Sequence, residues 1–112
     1  MTMVLLSGGM DSTVALYWAR ANRAQVRAFS LDYGQRHAKR ELMAAWKIAE
    51  LAGVELIQHK MEIPWAPMQG AVVPGRNSIL LTVAASYSAA LDRTAEVVMG
   101  ACRADAEGFP DC

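Results

Sequence analysis

A short segment over residues 7–12 carries the residue types that could bind a phosphate. Its sequence is Ser-Gly-Gly-Met-Asp-Ser. The two glycines permit backbone angles and a close approach of ligand that side chains would prevent. Ser7 and Ser12 add hydroxyl donors, and Asp11 adds a carboxylate that could hold Mg²⁺ bridging phosphate oxygens. The segment therefore predicts binding of a phosphate or a pyrophosphate.

The neighbouring residues place this segment at a turn from a strand to a helix. Residues 3–6 are continuously apolar, as in a buried parallel strand, and residues 10–21 contain no Gly or Pro and predict a helix. The first N–H groups of that helix and the positive end of its dipole would surround one concavity. An alternative is that Ser7 or Asp11 only caps the helix. Both interpretations use the same groups, and the full string Ser-Gly-Gly-Met-Asp-Ser at a first strand-to-helix turn favours nucleotide binding.

The rest of the chain alternates between strand and helix patterns. We predict strands over residues 25–31, 54–58 and 95–99, helices over residues 38–51 and from 76 or 77 to about 91, and a long loop over residues 60–75. This order predicts the α/β class, with residues 1–112 forming a single doubly wound domain of three αβα layers. Because parallel crossovers are right-handed, we expect about four strands in the order 3-2-1-4. This order would place residues 7–12, 32–37 and 100–105 along one edge of the sheet.

The apolar residues of the predicted helices indicate which sides face the sheet. In the second helix Leu42, Trp46 and Ala49 recur at helical spacing. In the third helix the apolar stripe is formed by Leu80, Val83, Ala84, Tyr87 and Leu91. We also expect four large side chains to belong to the core, namely Trp18, Met43, Trp46 and Met99.

A second polar cluster, Asp-Tyr-Gly-Gln-Arg-His over residues 32–37, follows the second strand. Ligands of open parallel sheets bind at this edge, next to the first strand. The guanidinium of Arg36 could pair with a carboxylate or phosphate, and His37 could titrate near neutrality. The alternative is an ordinary helix start with Arg36 and His37 in solvent. The position beside the glycine segment favours contact with a nucleotide or substrate.

A third cluster, Val-Pro-Gly-Arg-Asn, occupies residues 73–77. Pro74 and Gly75 form a turn, and Asn77 is expected to cap the third helix. Arg76 would lie at a helix N-terminus, where a cation is electrostatically unfavourable, so a bound anion would explain it.

The last residues, 100–112, contain acidic residues that could bind Mg²⁺ or the amine donors of a base: Asp105, Glu107 and Asp111. The alternative is an exposed polar loop. A zinc site could in principle combine His37, His59, Cys102 and Cys112, but their spacing matches no zinc motif, so we assign no metal ligands.

Composition limits the classes of partner and location. The 11 basic and 11 acidic residues cancel, so nothing indicates a nucleic-acid partner. No apolar run is long enough to span a membrane, and the first residues do not follow a signal-peptide pattern. Two cysteines do not make a disulfide framework. We therefore expect a soluble cytoplasmic protein.

The clusters together resemble a known family. The first lacks the lysine of a Walker loop, since the first Lys is Lys39, and it resembles the PP-loop of ATP pyrophosphatases. The ordered set of residues 7–13, 32–37, 73–77 and 105–112 resembles the 7-cyano-7-deazaguanine synthase (QueC) family, from one end of this chain to the other.

The resemblance implies an ATP-dependent ligase of queuosine and deazapurine biosynthesis. Members convert 7-carboxy-7-deazaguanine and ammonia to the 7-nitrile through an adenylated carboxylate and then an amide. It implies ATP, Mg²⁺ and these small-molecule substrates. We also expect a homodimer, and neither nucleic acid nor a membrane as a partner.

The resemblance also implies roles for individual residues. The expected catalytic residues are Ser7, Asp11, Arg36 and Arg76. The expected ATP-binding residues are Leu6, Ser7, Gly8, Gly9, Met10, Asp11, Ser12, Thr13, Val14, Ala15 and Leu16. The expected substrate-binding residues are Gln35, Arg36, His37, Arg76, Asn77, Asp105 and Asp111.

This sequence departs from the family's pattern in one respect. Members carry a cysteine cluster for structural zinc in a C-terminal part that we do not find here, and Cys102 and Cys112 cannot replace it residue by residue. Two alternatives remain open: another PP-loop enzyme that modifies tRNA or forms an amide, and a catalytically silent ATP-binding module.

Overall fold

A computed structural model describes residues 1–65 and 75–100 of the chain. The strands are β1 (Thr2–Leu5), β2 (Val26–Asp32), β3 (Glu55–Lys60) and β4 (Glu96–Val98). The helices are α1 (Met10–Asn22), α2 (Ala38–Ala52) and α3 (Arg76–Leu91). The ends of each strand differ from the prediction by one or two residues.

The four strands form one parallel sheet in the order β3-β2-β1-β4, which confirms the predicted topology. β1 lies in the interior of the sheet, where Thr2 pairs with Val26 on one side and with Glu96 on the other. Because all strands are parallel, their carboxyl ends meet at one edge, and the segments that follow β1, β2 and β4 lie side by side there.

Each face of the sheet has its own apolar core, because successive side chains of a strand point to opposite faces. Met3 and Leu5 of β1 pack with Phe29 and Leu31 of β2 against α3, whose Ala84 is fully buried. The other face is covered by α1 and α2. Its buried residues are Val4, Leu6, Ala15, Leu16, Ala19, Ala28, Ala45, Ala49 and Ala52. The αβα layering is therefore observed as predicted.

The second helix buries its alanines rather than its largest side chains. The expectation that Trp46 faces the sheet is wrong, since 58% of this residue is exposed, and Met43 is 64% exposed. Ala45, Ala49 and Ala52 occupy the buried side instead. Small side chains let the helix axis approach the sheet closely, and the large ones then fall on the outer surface.

Trp18 is also outside the core, with 47% of the residue exposed. The Arg23 guanidinium lies 5.0 Å from the centre of its ring, within the range of a cation–π contact. Met99, by contrast, packs against the buried cluster on the α3 face as expected. The core prediction was therefore wrong for Trp18, Met43 and Trp46.

Glycines mark the end of α2 and the start of α3. Gly53 follows α2 in the left-handed region, with a φ of 69°, and its N–H bonds to the carbonyls of Ala49 and Glu50. Gly75 precedes α3, also with a φ of 69°. The prediction that Asn77 caps α3 is wrong, because the helix already begins at Arg76 and no side chain caps its N-terminus within the described residues.

Charged side chains join β4 to the start of the chain at the amino edge of the sheet. The Met1 amino group lies 3.2 Å from Oδ2 of Asp92, and Nε of Arg23 lies 2.8 Å from Oε1 of Glu96. The Thr2 hydroxyl donates to the same Glu96 oxygen at 3.1 Å. These contacts lie at the edge of the sheet opposite the polar clusters, so we infer that they stabilise the fold and take no part in the site.

Candidate functional site

The glycine segment starts from a firmly held point at the end of β1. The Leu6 N–H donates to the Phe29 carbonyl at 2.9 Å, and the buried Ser30 hydroxyl donates to the Leu6 carbonyl at 2.5 Å. Both backbone groups of Leu6 are thus bonded to β2. The next residues, 7–9, leave the sheet from a fixed position, and we call residues 7–12 the glycine loop.

Ser12 organises the inside of the glycine loop. Only 6% of this residue is exposed. Its hydroxyl donates to the Gly9 carbonyl at 3.1 Å and accepts from the Ser7 N–H at 3.2 Å. It also lies 3.2 Å from Oγ of Ser7, which accepts from the Gly9 N–H at 3.4 Å. Because the single Ser12 proton is directed to Gly9, Ser7 is the donor between the two hydroxyls.

The first turn of α1 has no side-chain cap within the described residues. Gly9 is the N-cap, in an extended conformation with φ −87° and ψ 173°. Ser7 precedes the cap and Asp11 lies inside the first helical turn, so neither acts as the cap that the alternative interpretation proposed. The first N–H groups of a helix without a cap are available to an anion at its N-terminus.

The glycine loop is supported from both sides. A Cβ on Gly8, whose φ is 88°, would lie 2.9 Å from Cβ of Ala44 and 3.0 Å from the Glu41 carbonyl oxygen of α2. A Cβ on Gly100, after β4, would overlap the carbonyl of Asp11. The loop therefore contacts α2 through Gly8 and the end of β4 through Gly100. The predicted meeting of residues 7–12, 32–37 and 100–105 at one edge is observed for residues 7–12, residues 32–37 and Gly100, the one described residue of the last segment.

The turn over residues 32–37 is closed by its own side chains. Asp32 Oδ1 accepts from the Gly34 N–H at 3.1 Å. The Gln35 side chain accepts from the Tyr33 N–H at 2.9 Å and donates to the Leu31 carbonyl at 3.3 Å. Gln35, predicted to bind substrate, is thus bonded within the protein.

Arg36 and His37 are exposed and line a groove of about 490 Å³ at the start of α2. Lys39, Arg40 and Met43 line the rest of it. Within the described residues no salt bridge involves Arg36, Lys39 or Arg40. The groove therefore presents uncompensated positive charge, which favours an anionic group.

Arg76 and Asn77 begin α3 and are half-buried. Nε of Arg76 donates to Oδ1 of Asn77 at 3.4 Å. Since α3 runs back from the carboxyl edge to reach β4, its N-terminus lies on the same side of the sheet as the glycine loop. The predicted site residues Asp105 and Asp111, and Pro74, Cys102, Glu107 and Cys112, lie outside the described residues.

The structure adds Ser30 and Glu41 to the residues that shape the site, and Lys39 and Arg40 to its groove. Ser30 could have been noticed as a hydroxyl in an otherwise apolar strand. Glu41 carries no signal in the sequence, because its role depends on the position of α2.

The described residues contain neither a cluster of metal ligands nor a helix that could span a membrane. Residues 1–65 and 75–100 contain no group of three His, Cys, Asp or Glu side chains that could hold a metal ion, so they do not fit a structural zinc site. Within the same residues, no helix combines the length and the apolar character needed to cross a bilayer.

Comparison with known proteins places these features in a family. The sequence matches the model of the family described as "Queuosine biosynthesis protein QueC" over residues 1–66 and 56–112. The chain belongs to the QueC family. Its PP-loop-like fold agrees with this membership.

Several curated relatives in the QueC family are named 7-cyano-7-deazaguanine synthase. The one from Psychrobacter cryohalolentis is 37% identical over 141 residues, covering 98% of this chain and 54% of the relative. The one from Laribacter hongkongensis is 39% identical over 131 residues, covering 98% of this chain and 56% of the relative. The one from Thermoplasma acidophilum is 33% identical over 131 residues, covering 98% of this chain and 54% of the relative. The chain thus spans about half the length of the curated relatives it matches.

The alignment with the Psychrobacter relative is longer than this chain. The 141 aligned positions of the Psychrobacter relative exceed the 112 residues of the chain, so at least 29 of them have no counterpart. The two matches to the family model overlap at residues 56–66.

Proposed function

We propose that this chain forms the ATP-binding part of a 7-cyano-7-deazaguanine synthase. The observation that carries the proposal is the α1 N-terminus without a side-chain cap behind Ser7, Gly8 and Gly9, in a member of the QueC family. The N–H groups of that turn would hold the pyrophosphate of ATP. The Ser7 hydroxyl would join them by turning its one proton from Ser12 to a phosphate oxygen. Gly9, with no Cβ, leaves room for phosphate oxygens at the loop.

The proposed reaction makes a poor electrophile reactive. An oxygen of the 7-carboxylate attacks the α-phosphorus of ATP, the bond to pyrophosphate breaks, and a mixed anhydride with AMP forms. Ammonia then attacks the carboxyl carbon, AMP leaves, and an amide results. Loss of the amide oxygen to give the nitrile needs a second activation of the same kind, since that oxygen must leave as part of AMP.

The chain's residues would act by electrostatic stabilisation. The glycine loop would stabilise the negative charge that develops on the departing pyrophosphate. Arg36 and Arg76 would neutralise phosphate or carboxylate oxygens as the two anions approach each other. Asp11, in the first turn of α1, would contribute to Mg²⁺ binding, because Mg²⁺ is typically held by one or two carboxylates together with phosphate oxygens. Mg²⁺ supplies charge neutralisation when it is bound.

A second function is an ATP-binding module that needs a further polypeptide for turnover. The observation that favours it is the coverage of only 54% of the Psychrobacter relative. Such a module would bind ATP without releasing AMP. Cytoplasmic location and assembly as a homodimer remain predictions, and analytical ultracentrifugation tests the latter.

A turnover assay combined with a titration distinguishes these functions. The protein is incubated with ATP, Mg²⁺, ammonium and 7-carboxy-7-deazaguanine, and AMP and the nitrile are followed by mass spectrometry. Joint appearance of nitrile and AMP supports the synthase. ATP binding by calorimetry without either product supports the module, and no binding of ATP contradicts both. AMP formed only with a tRNA substrate would indicate a different PP-loop enzyme.

A further inference from the structure

Glu41, in the first turn of α2, contacts two segments of the site at once. Its Oε2 accepts a hydrogen bond from Nε2 of Gln35 at 3.0 Å. Its carbonyl oxygen would lie 3.0 Å from a Cβ on Gly8. One residue thus bonds to the turn over residues 32–37 and supports the underside of the glycine loop.

The amide of Gln35 determines the shape of that turn. It bonds to the Tyr33 N–H and to the Leu31 carbonyl, so it closes the turn on itself. The bond to Glu41 is the side-chain contact that ties the closed turn to α2. Arg36 and His37, the next two residues, take their positions from this arrangement.

Gly8 lies directly against α2. A Cβ on it would lie 2.9 Å from Cβ of Ala44, 3.0 Å from the Glu41 carbonyl oxygen and 3.4 Å from the Ala45 nitrogen. A movement of the first turn of α2 towards the loop would therefore displace the glycine loop and, through the bond of Glu41 to Gln35, the turn over residues 32–37.

We propose that Glu41 is a positioning residue that, through Gln35, holds Arg36 and His37 at a fixed distance from the glycine loop. Glu41 itself touches no ligand. The identity of the ligand rests on the proposed function, but the coupling of the two segments does not. Gln35 acts in this arrangement as a structural partner of Glu41 rather than as a contact to substrate.

The test compares Glu41→Ala with Glu41→Gln and with Glu50→Ala. Glu41→Gln keeps an oxygen that accepts from Gln35, and Glu50 is an exposed acid on the same helix away from the site. Amide hydrogen exchange is measured at residues 8–12 and 33–37, and binding of inorganic pyrophosphate is measured by calorimetry. In Glu41→Ala we expect exchange in both segments to accelerate and pyrophosphate to bind about tenfold more weakly, as for loss of one charged hydrogen bond.

The control variants separate positioning from general stability. Glu41→Gln should restore most of the affinity, and Glu50→Ala should leave it unchanged. Exchange at residues 2–5 and 26–29 should stay slow in all three variants, which shows that the sheet is intact. Equal exchange in Glu41→Ala and Glu50→Ala at both site segments would overturn the proposal.

A variant of the partner residue keeps the test decisive if Glu41→Ala does not fold. Gln35→Glu places two carboxylates against each other and should accelerate exchange in both segments. Adding Glu41→Gln removes the contact between carboxylates and should reverse part of the effect, since the bond to the Leu31 carbonyl stays lost. A double variant no better than Gln35→Glu alone would contradict the coupling. If the unaltered protein binds no pyrophosphate, the proposed function fails, while the exchange data still decide the role of Glu41.

Discussion

Gly100 lies so close to Asp11 that a Cβ at this position would overlap the Asp11 carbonyl and approach the Ser12 N–H within 3.1 Å. The end of β4 is thereby in contact with the first turn of α1. The two segments are about ninety residues apart in sequence, yet each limits where the other can lie. The geometry of the glycine loop consequently depends on β4 as well as on the residues that form it.

Gly100→Ala should destabilise the fold and weaken ATP binding together, since the added methyl group must displace backbone. We expect a loss of about 1–3 kcal/mol in the free energy of unfolding, the usual cost of overpacking. Urea unfolding and calorimetric titration with ATP measure the two effects. Gly9→Ala is the control for stability, because its φ of −87° suits alanine and the nearest atom, Oγ of Ser7, would be 3.6 Å from the new Cβ. A Gly100→Ala protein as stable as Gly9→Ala would contradict the contact.

Ser12→Ala should disorder the glycine loop without unfolding the domain. The change removes the acceptor of the Ser7 N–H and the donor to the Gly9 carbonyl, which costs about 1–2 kcal/mol for groups so little exposed. We expect ATP affinity to fall about tenfold or more. Ser86→Ala, at an exposed position of α3, is the matched control and should change neither stability nor affinity.

Ser30→Ala should weaken the attachment of the glycine loop to the end of β1. Its hydroxyl donates to the Leu6 carbonyl at the point where β1 becomes the glycine loop. Loss of this buried bond should cost about 1–3 kcal/mol and reduce ATP affinity. Ser88→Ala also removes a buried hydroxyl, but the Ala84 carbonyl that this hydroxyl contacts lies within α3 on the other face of the sheet. The temperature of thermal unfolding should therefore fall in both variants, while the affinity for ATP should fall only in Ser30→Ala.

Arg76→Ala tests whether the cation at the start of α3 serves an anion. Helix N-termini disfavour positive charge, so removing it should not destabilise α3 by this mechanism. We expect weaker binding of ATP or of 7-carboxy-7-deazaguanine and slower formation of AMP, each by about tenfold or more, the size of a charged hydrogen bond. Arg93→Ala, at an exposed position beyond α3, serves as the control. Unchanged binding and AMP formation in Arg76→Ala would remove the residue from the site.

The amino edge of the sheet should make stability depend on pH in the acid range. Hydrogen bonds from the Thr94 hydroxyl, the Thr94 N–H and the chain's amino group lower the pKa of Asp92 from 3.8 to about 2. Because the folded pKa lies below the unfolded one, this group stabilises the fold above about pH 4, and the contribution disappears as the pH falls towards 2. The Arg23 side chain lowers the pKa of Glu96 in the same direction, first by its hydrogen bond.

Urea unfolding of the unaltered protein and of Asp92→Asn between pH 7 and pH 2.5 tests this dependence. The two proteins should differ in stability at pH 7 and become alike as the pH falls below 4. A difference that stays constant over this range would exclude the Asp92 carboxylate as its source. Asp32→Asn serves as a control for the loss of a carboxylate at the opposite edge of the sheet.

The strand order and the meeting of the polar clusters could be predicted because they follow from the chain's local patterns and from crossover handedness. The exposure of Trp46 and Met43 could not be predicted, because the helical spacing of apolar residues does not distinguish large side chains from small ones. Only the close approach of α2 to the sheet decides that Ala45 and Ala49 are buried instead. The start of α3 was predicted within a residue, but its N-cap was not. The N-cap position is occupied by Gly75 in a left-handed conformation, and Asn77 lies inside the helix.

The site residues divide in the same way. Ser7 and Ser12 could be selected from the sequence because their contacts lie within one continuous segment, whereas the contact of Gly8 with α2 could not be. The roles of Gln35, Glu41 and Gly100 depend on contacts between segments that are distant in sequence or on a side chain's own rotamer. A substrate contact and an internal bond look identical for Gln35 until the positions of Leu31, Tyr33 and Glu41 are known.

The interior position of β1 also affects how a newly synthesised chain can fold. β1 is made before the other three strands, but its hydrogen-bonding partner on one side, β4, follows about ninety residues later, since Thr2 and Glu96 are separated by 94 positions. At synthesis rates of about 5–20 residues per second, this apolar strand waits roughly 5–20 s with one edge uncovered. Exposed strand edges promote association between chains, so the interval before β4 emerges is when the nascent protein most needs a chaperone.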